Sequence, residues 1–176
     1  MAGHRELLFF LLVVSLSSCD WGQPCSGWFQ NIRNGHCYMK FCDGKSFDAA
    51  QRVCEKYEAH LPYIRNEQED KFVATLSRSV RKKIKWRGRE YMQNHWIGIK
   101  LLDGPGGKKW RFVNGTEATY FNWQPIEPNN LGGNEECVHY APVWGDWFRW
   151  NDLKCEHEQS DFVTYICEKD SCVDLK

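Results

Sequence analysis

Apolar positions recur along the chain at two different spacings, and those spacings predict its elements. Phe47, Ala50, Val53, Cys54 and Tyr57 recur at helical spacing, which places them on one face of an α-helix, with Ser46 positioned to cap its start. A second helix is expected from Asn66, with Glu69 three residues on as its capping-box partner; its apolar face is Phe72, Val73, Leu76 and Val80. Shorter apolar and aromatic runs bounded by turn residues predict strands. Residues 25–38 read as a small hairpin turning at Asn34-Gly35. Residues 96–99 form a short apolar strand. Residues 110–113 and 119–123 are expected to pair around Asn114-Gly115, a strong hairpin-turn signal. Strand character resumes after Cys137, and residues 162–167 close the sheet. The fold class is α+β, with two helices and a mostly antiparallel sheet.

The donor-rich stretch is residues 127–155, which opens as a long loop broken by Pro125 just before it and by Pro128 and the Gly132-Gly133 pair, before strand character resumes after Cys137. A loop of that length inside a compact domain is uncommon unless it has a function. Its side chains are hard oxygen donors: carboxylates at Glu127, Glu135 and Asp152, and amides at Asn129 and Asn151. Ca²⁺ takes about six to eight such oxygens, whereas zinc or copper favours thiolate or imidazole. Three converging carboxylates repel one another, and a divalent cation resolves that conflict. The stretch reads as a Ca²⁺ site held by Glu127, Asn129, Glu135, Asn151 and Asp152.

Paired carboxylates also suit glycoside hydrolysis, but here an amide accompanies each carboxylate, which favours coordination over proton transfer. No His-Glu-x-x-His, Gly-x-Ser-x-Gly or Gly-rich phosphate loop occurs, and no enzyme is expected.

Residues 1–19 read as a signal peptide, with His4 and Arg5 ahead of an apolar run from Leu7 to Leu16 and small residues at Ser17 and Ser18. That run is shorter than the roughly 20 residues a membrane span needs. Residues 20–176 are then one secreted, soluble domain without a membrane span. Formal net charge is +0, which gives no general pull toward nucleic acid. Nine cysteines fit an oxidising compartment and a disulfide framework. Cleavage near Cys19 leaves Cys25, Cys37, Cys42, Cys54, Cys137, Cys155, Cys167 and Cys172; a retained Cys19 could link two chains into a homo-oligomer. Asn114-Gly115-Thr116 is an N-glycosylation sequon on the expected turn. Arg81, Lys82, Lys83, Lys85, Arg87 and Arg89 form a basic run, read first as a solvated loop and second as a patch for anionic polysaccharide.

Four motifs occur in order: Trp96-Ile97-Gly98, Glu127-Pro128-Asn129, Glu135-Glu136-Cys137, and Trp150-Asn151-Asp152 before Cys155. With Tyr165-Ile166-Cys167-Glu168, they resemble the C-type lectin family over nearly the whole chain from Cys25 to about Glu168. The resemblance implies a C-type lectin-like fold, a cis Glu127–Pro128 bond, and disulfides Cys25–Cys37, Cys54–Cys167 and Cys137–Cys155, which leaves Cys42 with Cys172. It also implies that Glu127 with Asn129, and Glu135 with Asn151, bind sugar hydroxyls beside the ion. Glu-Pro-Asn resembles the mannose-type arrangement, for glycans with vicinal equatorial hydroxyls such as mannose, N-acetylglucosamine and fucose. Innate recognition of microbial glycans is the kind of role this implies. Two alternatives are a protein- or mineral-surface module with structural calcium only, and a galactose-binding lectin despite Glu-Pro-Asn. The segment between Glu135 and Asn151 is longer than in the mannose-binding collectins and carries Trp144, Trp147 and Phe148 beside Trp150; an aromatic there could stack on a sugar, while Trp150 is expected in the core. For a second ion, Asp103 and Glu136 could join Glu135, but Gly107 and Asn130 stand where acidic ligands are usual. One Ca²⁺ is expected.

Overall fold

The computed structural model describes residues 22–79, 83–86, 89–142, 148–156 and 163–172. The expected signal segment, Cys19, Arg81, Lys82, Arg87, Trp144 and Trp147 lie outside the described residues, as do Val80 and Phe162 at the ends of two expected elements.

Strand β1 (Phe29–Gln30) and β2 (Cys37–Phe41) form the expected N-terminal hairpin. Gly35, with φ +79°, takes the left-handed position in its turn. Helix α1 (Phe47–Lys56) buries Phe47, Ala50, Val53 and Cys54. Ser46 occupies its N-cap position but makes no side-chain capping bond. Helix α2 (Glu67–Ser79) is capped by Asn66, whose Oδ1 accepts from the Gln68 and Glu69 N–H groups, both at 3.0 Å. Glu69 reaches back one residue further than a capping box requires, accepting from the Arg65 N–H at 2.7 Å. Of the face expected for α2, Val73 and Leu76 are buried and Phe72 packs partly buried beside them.

Strands β5 (Asn94–Leu102), β6 (Lys109–Phe112), β7 (Cys137–Pro142), β8 (Phe148–Leu153) and β9 (Val163–Lys169) complete a seven-stranded sheet. Its order is β1-β2-β9-β5-β7-β8, with β6 paired to β5. Every pairing is antiparallel except β5 with β9. Alternation along β9 shows why both faces are apolar. Val163, Tyr165 and Cys167 join the α1 side with Phe47 and Val53, while Ile166 joins the α2 side with Val73 and Leu76. Among the described residues no helix is long and apolar enough to cross a membrane.

Three expectations are corrected. The 119–123 segment is not a strand partner of β6. The Asn114-Gly115 turn does form, with the Phe112 N–H donating to Thr116 O at 2.8 Å. However, β6 is claimed by β5, and 119–123 leaves to reach β8, where the Trp150 N–H donates to Asn122 O at 2.9 Å. The basic run is not a plain loop: β3 (Lys83–Trp86) and β4 (Arg89–Met92) form a separate two-stranded antiparallel sheet. Its side chains lie outside the described residues, and the anionic-polysaccharide reading with them.

The third correction concerns the disulfides. Cys54–Cys167 and Cys137–Cys155 pair as expected, but Cys25 joins Cys42, and Cys37 joins Cys172. Hairpin register is the cause. Gln30 lies opposite Cys37 in the ladder, while the Cys25 N–H donates to Lys40 O at 2.9 Å, so Cys25 sits beside Cys42 rather than Cys37. Cys37 lies opposite Lys169 instead, within reach of the Cys172 that follows.

The Trp-Ile-Gly motif has a packing reason. Trp96 and Ile97 are fully buried, and a Cβ at Gly98 would lie 2.5 Å from the Leu61 carbonyl oxygen. The Gly98 N–H donates to Pro62 O at 2.9 Å, so two backbones touch there. Gly98→Ala is expected to cost about 2–3 kcal/mol, measured by urea denaturation; an unchanged midpoint would show that the 61–62 segment moves aside freely.

Candidate functional site

The donor-rich loop leaves the sheet after Trp123 and returns at Cys137. Its entry is strained: Ile126 has φ +71°, uncommon for a β-branched residue. The Glu127–Pro128 bond is cis, as the resemblance implies. Glu127 and Asn129 then form one closed unit. The Asn129 Nδ2 donates to Glu127 Oε1 at 2.8 Å and its backbone N–H to Oε2 at 3.1 Å. One acid and one amide thus sit side by side, an acceptor and a donor.

Asp152, on β8, lies at the centre. It is fully buried, and its carboxylate accepts from the Asn129 N–H at 3.2 Å and the Asn130 N–H at 2.8 Å. These bonds tie the loop to the sheet. Asn130 adopts φ +47°, a left-handed conformation that Asn tolerates. Its Oδ1 accepts from the Glu135 N–H at 3.0 Å, while Glu135 Oε2 accepts from the Leu131 N–H at 2.9 Å. Asn130 is therefore a structural clasp, which sequence reasoning missed; the signal available was an Asn before Gly132-Gly133, both with positive φ.

Asn151 turns its amide inward. Its Nδ2 donates to the Asp152 carbonyl at 2.6 Å and to His139 Nε2 at 3.2 Å. His139 Nδ1–H donates to Tyr140 O at 3.1 Å, which fixes Nε2 as the acceptor. Both Asn151 amide hydrogens are thereby used, and its carbonyl oxygen is the atom left to act as a ligand. Donation from Asn151 to a sugar hydroxyl requires exchanging one of these bonds. His139 was not anticipated, because a lone His on a strand carries no signal in sequence.

The carboxylates influence one another's charge. Burial raises the Glu127 pKa above its ordinary value, a hydrogen bond shared with Asp152 and the Asp152 and Glu135 charges add to it, and the Asn129 N–H opposes it. Glu135 is raised as well, by burial and then by Asp152, against the Leu131 N–H and Lys154. No three His, Cys, Asp or Glu side chains form a metal-holding group among the described residues; Glu127 and Asp152 share a hydrogen bond, and Glu135 with two amides makes up the rest of the donor set. Its chemistry, oxygen donors alone from Glu127, Glu135 and Asp152 with Asn129 and Asn151, and the two glutamates held back from ionising by burial and by Asp152, fits Ca²⁺.

Of the aromatic segment, Trp150 is fully buried in the core, as expected. Its Nε1 donates to Asp70 Oδ1 at 3.0 Å. Phe148 begins β8.

The model of the lectin C-type domain matches residues 43–169. The chain belongs to the C-type lectin family. It is 31% identical to a "C-type lectin mannose-binding isoform" of Oxyuranus scutellatus over 94% of this chain and 98% of that one. It is 29% identical to an "alpha-N-acetylgalactosamine-specific lectin" of Patiria pectinifera over 96% of this chain and 97% of that one. Among solved structures, a Ca²⁺-independent C-type lectin of Saxidomus purpuratus superposes with a TM-score of 0.63 at 26% identity, over 85% of this chain and 94% of that one. C-type lectin domains bind carbohydrate and are not enzymes, so this lectin is a carbohydrate-binding module.

Proposed function

We propose that this lectin is secreted and binds mannose-type glycans through a Ca²⁺ held by Glu127, Asn129, Glu135, Asn151 and Asp152. The observation that carries the reading is the buried Asp152 carboxylate, held by two loop N–H groups beside the closed Glu127–Asn129 pair. When bound, calcium supplies coordination positions for two vicinal sugar hydroxyls. The chain's own part is orientation: carboxylates at Glu127 and Glu135 accept from those hydroxyls, and the Asn129 amide, with a hydrogen to spare, donates to one. Such charge-assisted bonds are stronger than neutral ones. A single exposed site holds one monosaccharide weakly, and multivalency supplies useful affinity. The exposed Asn114 is the proposed N-glycan attachment, on the turn before the loop.

A second reading, calcium-independent sugar binding, is favoured by the likeness to the Saxidomus purpuratus lectin. Paired mannose- and galactose-agarose columns separate the two. Retention on mannose with release by EDTA is the expected result. Retention that survives EDTA would favour the second reading, and retention on galactose alone would overturn the mannose preference, in line with the name of the Patiria pectinifera relative.

A further inference from the structure

The residues that could hold a second ion already face a cation of the chain's own. Between β5 and β6 the chain turns through Gly106 and Gly107, with φ +88° and +95°, and this turn delivers Lys108 onto the donor loop. Lys108 Nζ lies 2.5 Å from Glu136 Oε1. Glu136 immediately follows Glu135, and its backbone carbonyl accepts from the Leu101 N–H at 2.8 Å, so its position is fixed by β5. Glu136 and, at longer range, Asp103 both favour the charged form of Lys108.

The other two positions bring no carboxylate to a second ion, for independent reasons. At 107, φ +95° disfavours any residue with a side chain, although a Cβ there would meet nothing within 4 Å. At 130, the neutral Asn130 amide stands in place of a charge, its Oδ1 accepts from the Glu135 N–H, and the left-handed backbone there suits Asn better than most residues.

We infer that the Lys108 ammonium takes the place of a second calcium, so that this lectin binds a single ion and keeps the Glu136 side of its loop neutralised in the absence of divalent metal. The inference rests on the calcium site proposed above, but it concerns a different set of residues. The ion pair is half exposed at Lys108, where such pairs contribute little to stability; its effect is on charge. A second divalent ion would have to approach a fixed positive group instead of two free carboxylates.

The test is calcium stoichiometry on the full chain by isothermal titration calorimetry and native mass spectrometry, for wild type, Lys108→Gln and Lys108→Glu. Wild type is expected to take one ion without cooperativity. Lys108→Glu is expected to take a second, weaker ion, because three carboxylates then face one another; Lys108→Gln should show the second only at concentrations at least about tenfold above the first. Two ions on wild type, or one ion on all three proteins, would overturn the inference. No ion on wild type with one on Lys108→Glu would overturn the calcium reading and uphold the role of Lys108. No ion on any of them would overturn both.

Discussion

Glu135→Gln is expected to weaken calcium and mannose binding together, by about 10- to 150-fold, the equivalent of losing a charged contact of about 1.5–3 kcal/mol. Glutamine retains an oxygen to accept from the Leu131 N–H, so the loop should keep its shape while losing a charge. Asn151→Asp should behave in parallel for the opposite reason, since it deletes the two bonds from Nδ2 to Asp152 O and His139 Nε2. Loss of sugar with calcium affinity unchanged would contradict shared coordination. The same site sets the pH response. In metal-free protein the pKa values of Glu127 and Glu135 lie above their unfolded values. The folded state therefore binds more protons than the unfolded state just above the ordinary carboxylate range, and these two groups cost stability as pH rises through that window. Calcium reverses the sign, because it binds only the ionised carboxylates. Thermal melts should accordingly show the metal-free protein gaining stability from these groups as pH falls toward their range, and the calcium-loaded protein losing it. Parallel pH profiles with and without calcium would refute the assignment.

Asp70→Ala is expected to destabilise the fold by about 3–5 kcal/mol, a fall in Tm of roughly 6–20 °C for a domain of this size. Asp70 is buried on the first turn of α2, where the helix N-terminus favours negative charge. It meets four neutral donors: Trp150 Nε1 at 3.0 Å, Tyr120 OH at 3.1 Å, Asn122 Nδ2 at 2.6 Å, and Tyr140 OH. The carboxylate holds the pKa values of Tyr120 and Tyr140 high, after burial, the larger cause. Removing it takes the carboxylate acceptor away from all four donors, while the Tyr140 OH keeps the Asp70 backbone carbonyl at 3.2 Å. Because Trp150 precedes Asn151 and Asp152, calcium affinity should fall as well. A loss below about 1 kcal/mol would mean that water replaces the carboxylate readily.

The contrast between Asp70 and Asn129 shows what sequence conveys and what it does not. Helices α1 and α2 were legible because their apolar residues repeat at helical spacing, and the Glu127–Asn129 pair because two residues either side of one proline can meet only locally. Asp70 reads as one acid among three in a helix's first turn; its partners lie 50 to 80 residues away, where no local pattern reaches. The same holds for Glu168, which is fully buried and accepts from the Tyr63 N–H at 2.6 Å and Arg65 Nη1 at 3.1 Å. Disulfide partners depend on strand register, and a hairpin longer on one side than expected moved Cys25 from Cys37 to Cys42. His139 acts through one hydrogen bond to a proposed ligand residue, and Asn130 through two, to Asp152 and Glu135, a role that spacing does not reveal.

The sheet order carries a consequence for display. β1 stands at one edge and β8 at the other, five pairings apart, or about 24 Å at the usual strand separation. β2 and β9 are neighbours, β9 three pairings from β8, and the Cys37–Cys172 bond fastens the start of β2 to the segment that follows β9. A tag, a linker or a second domain joined before β1 or after β9 would attach to strands other than β8, the edge strand that carries Asn151 and Asp152. Fusing this lectin in tandem, or immobilising it by either end, should therefore raise its avidity for a glycan-coated surface without masking a single site.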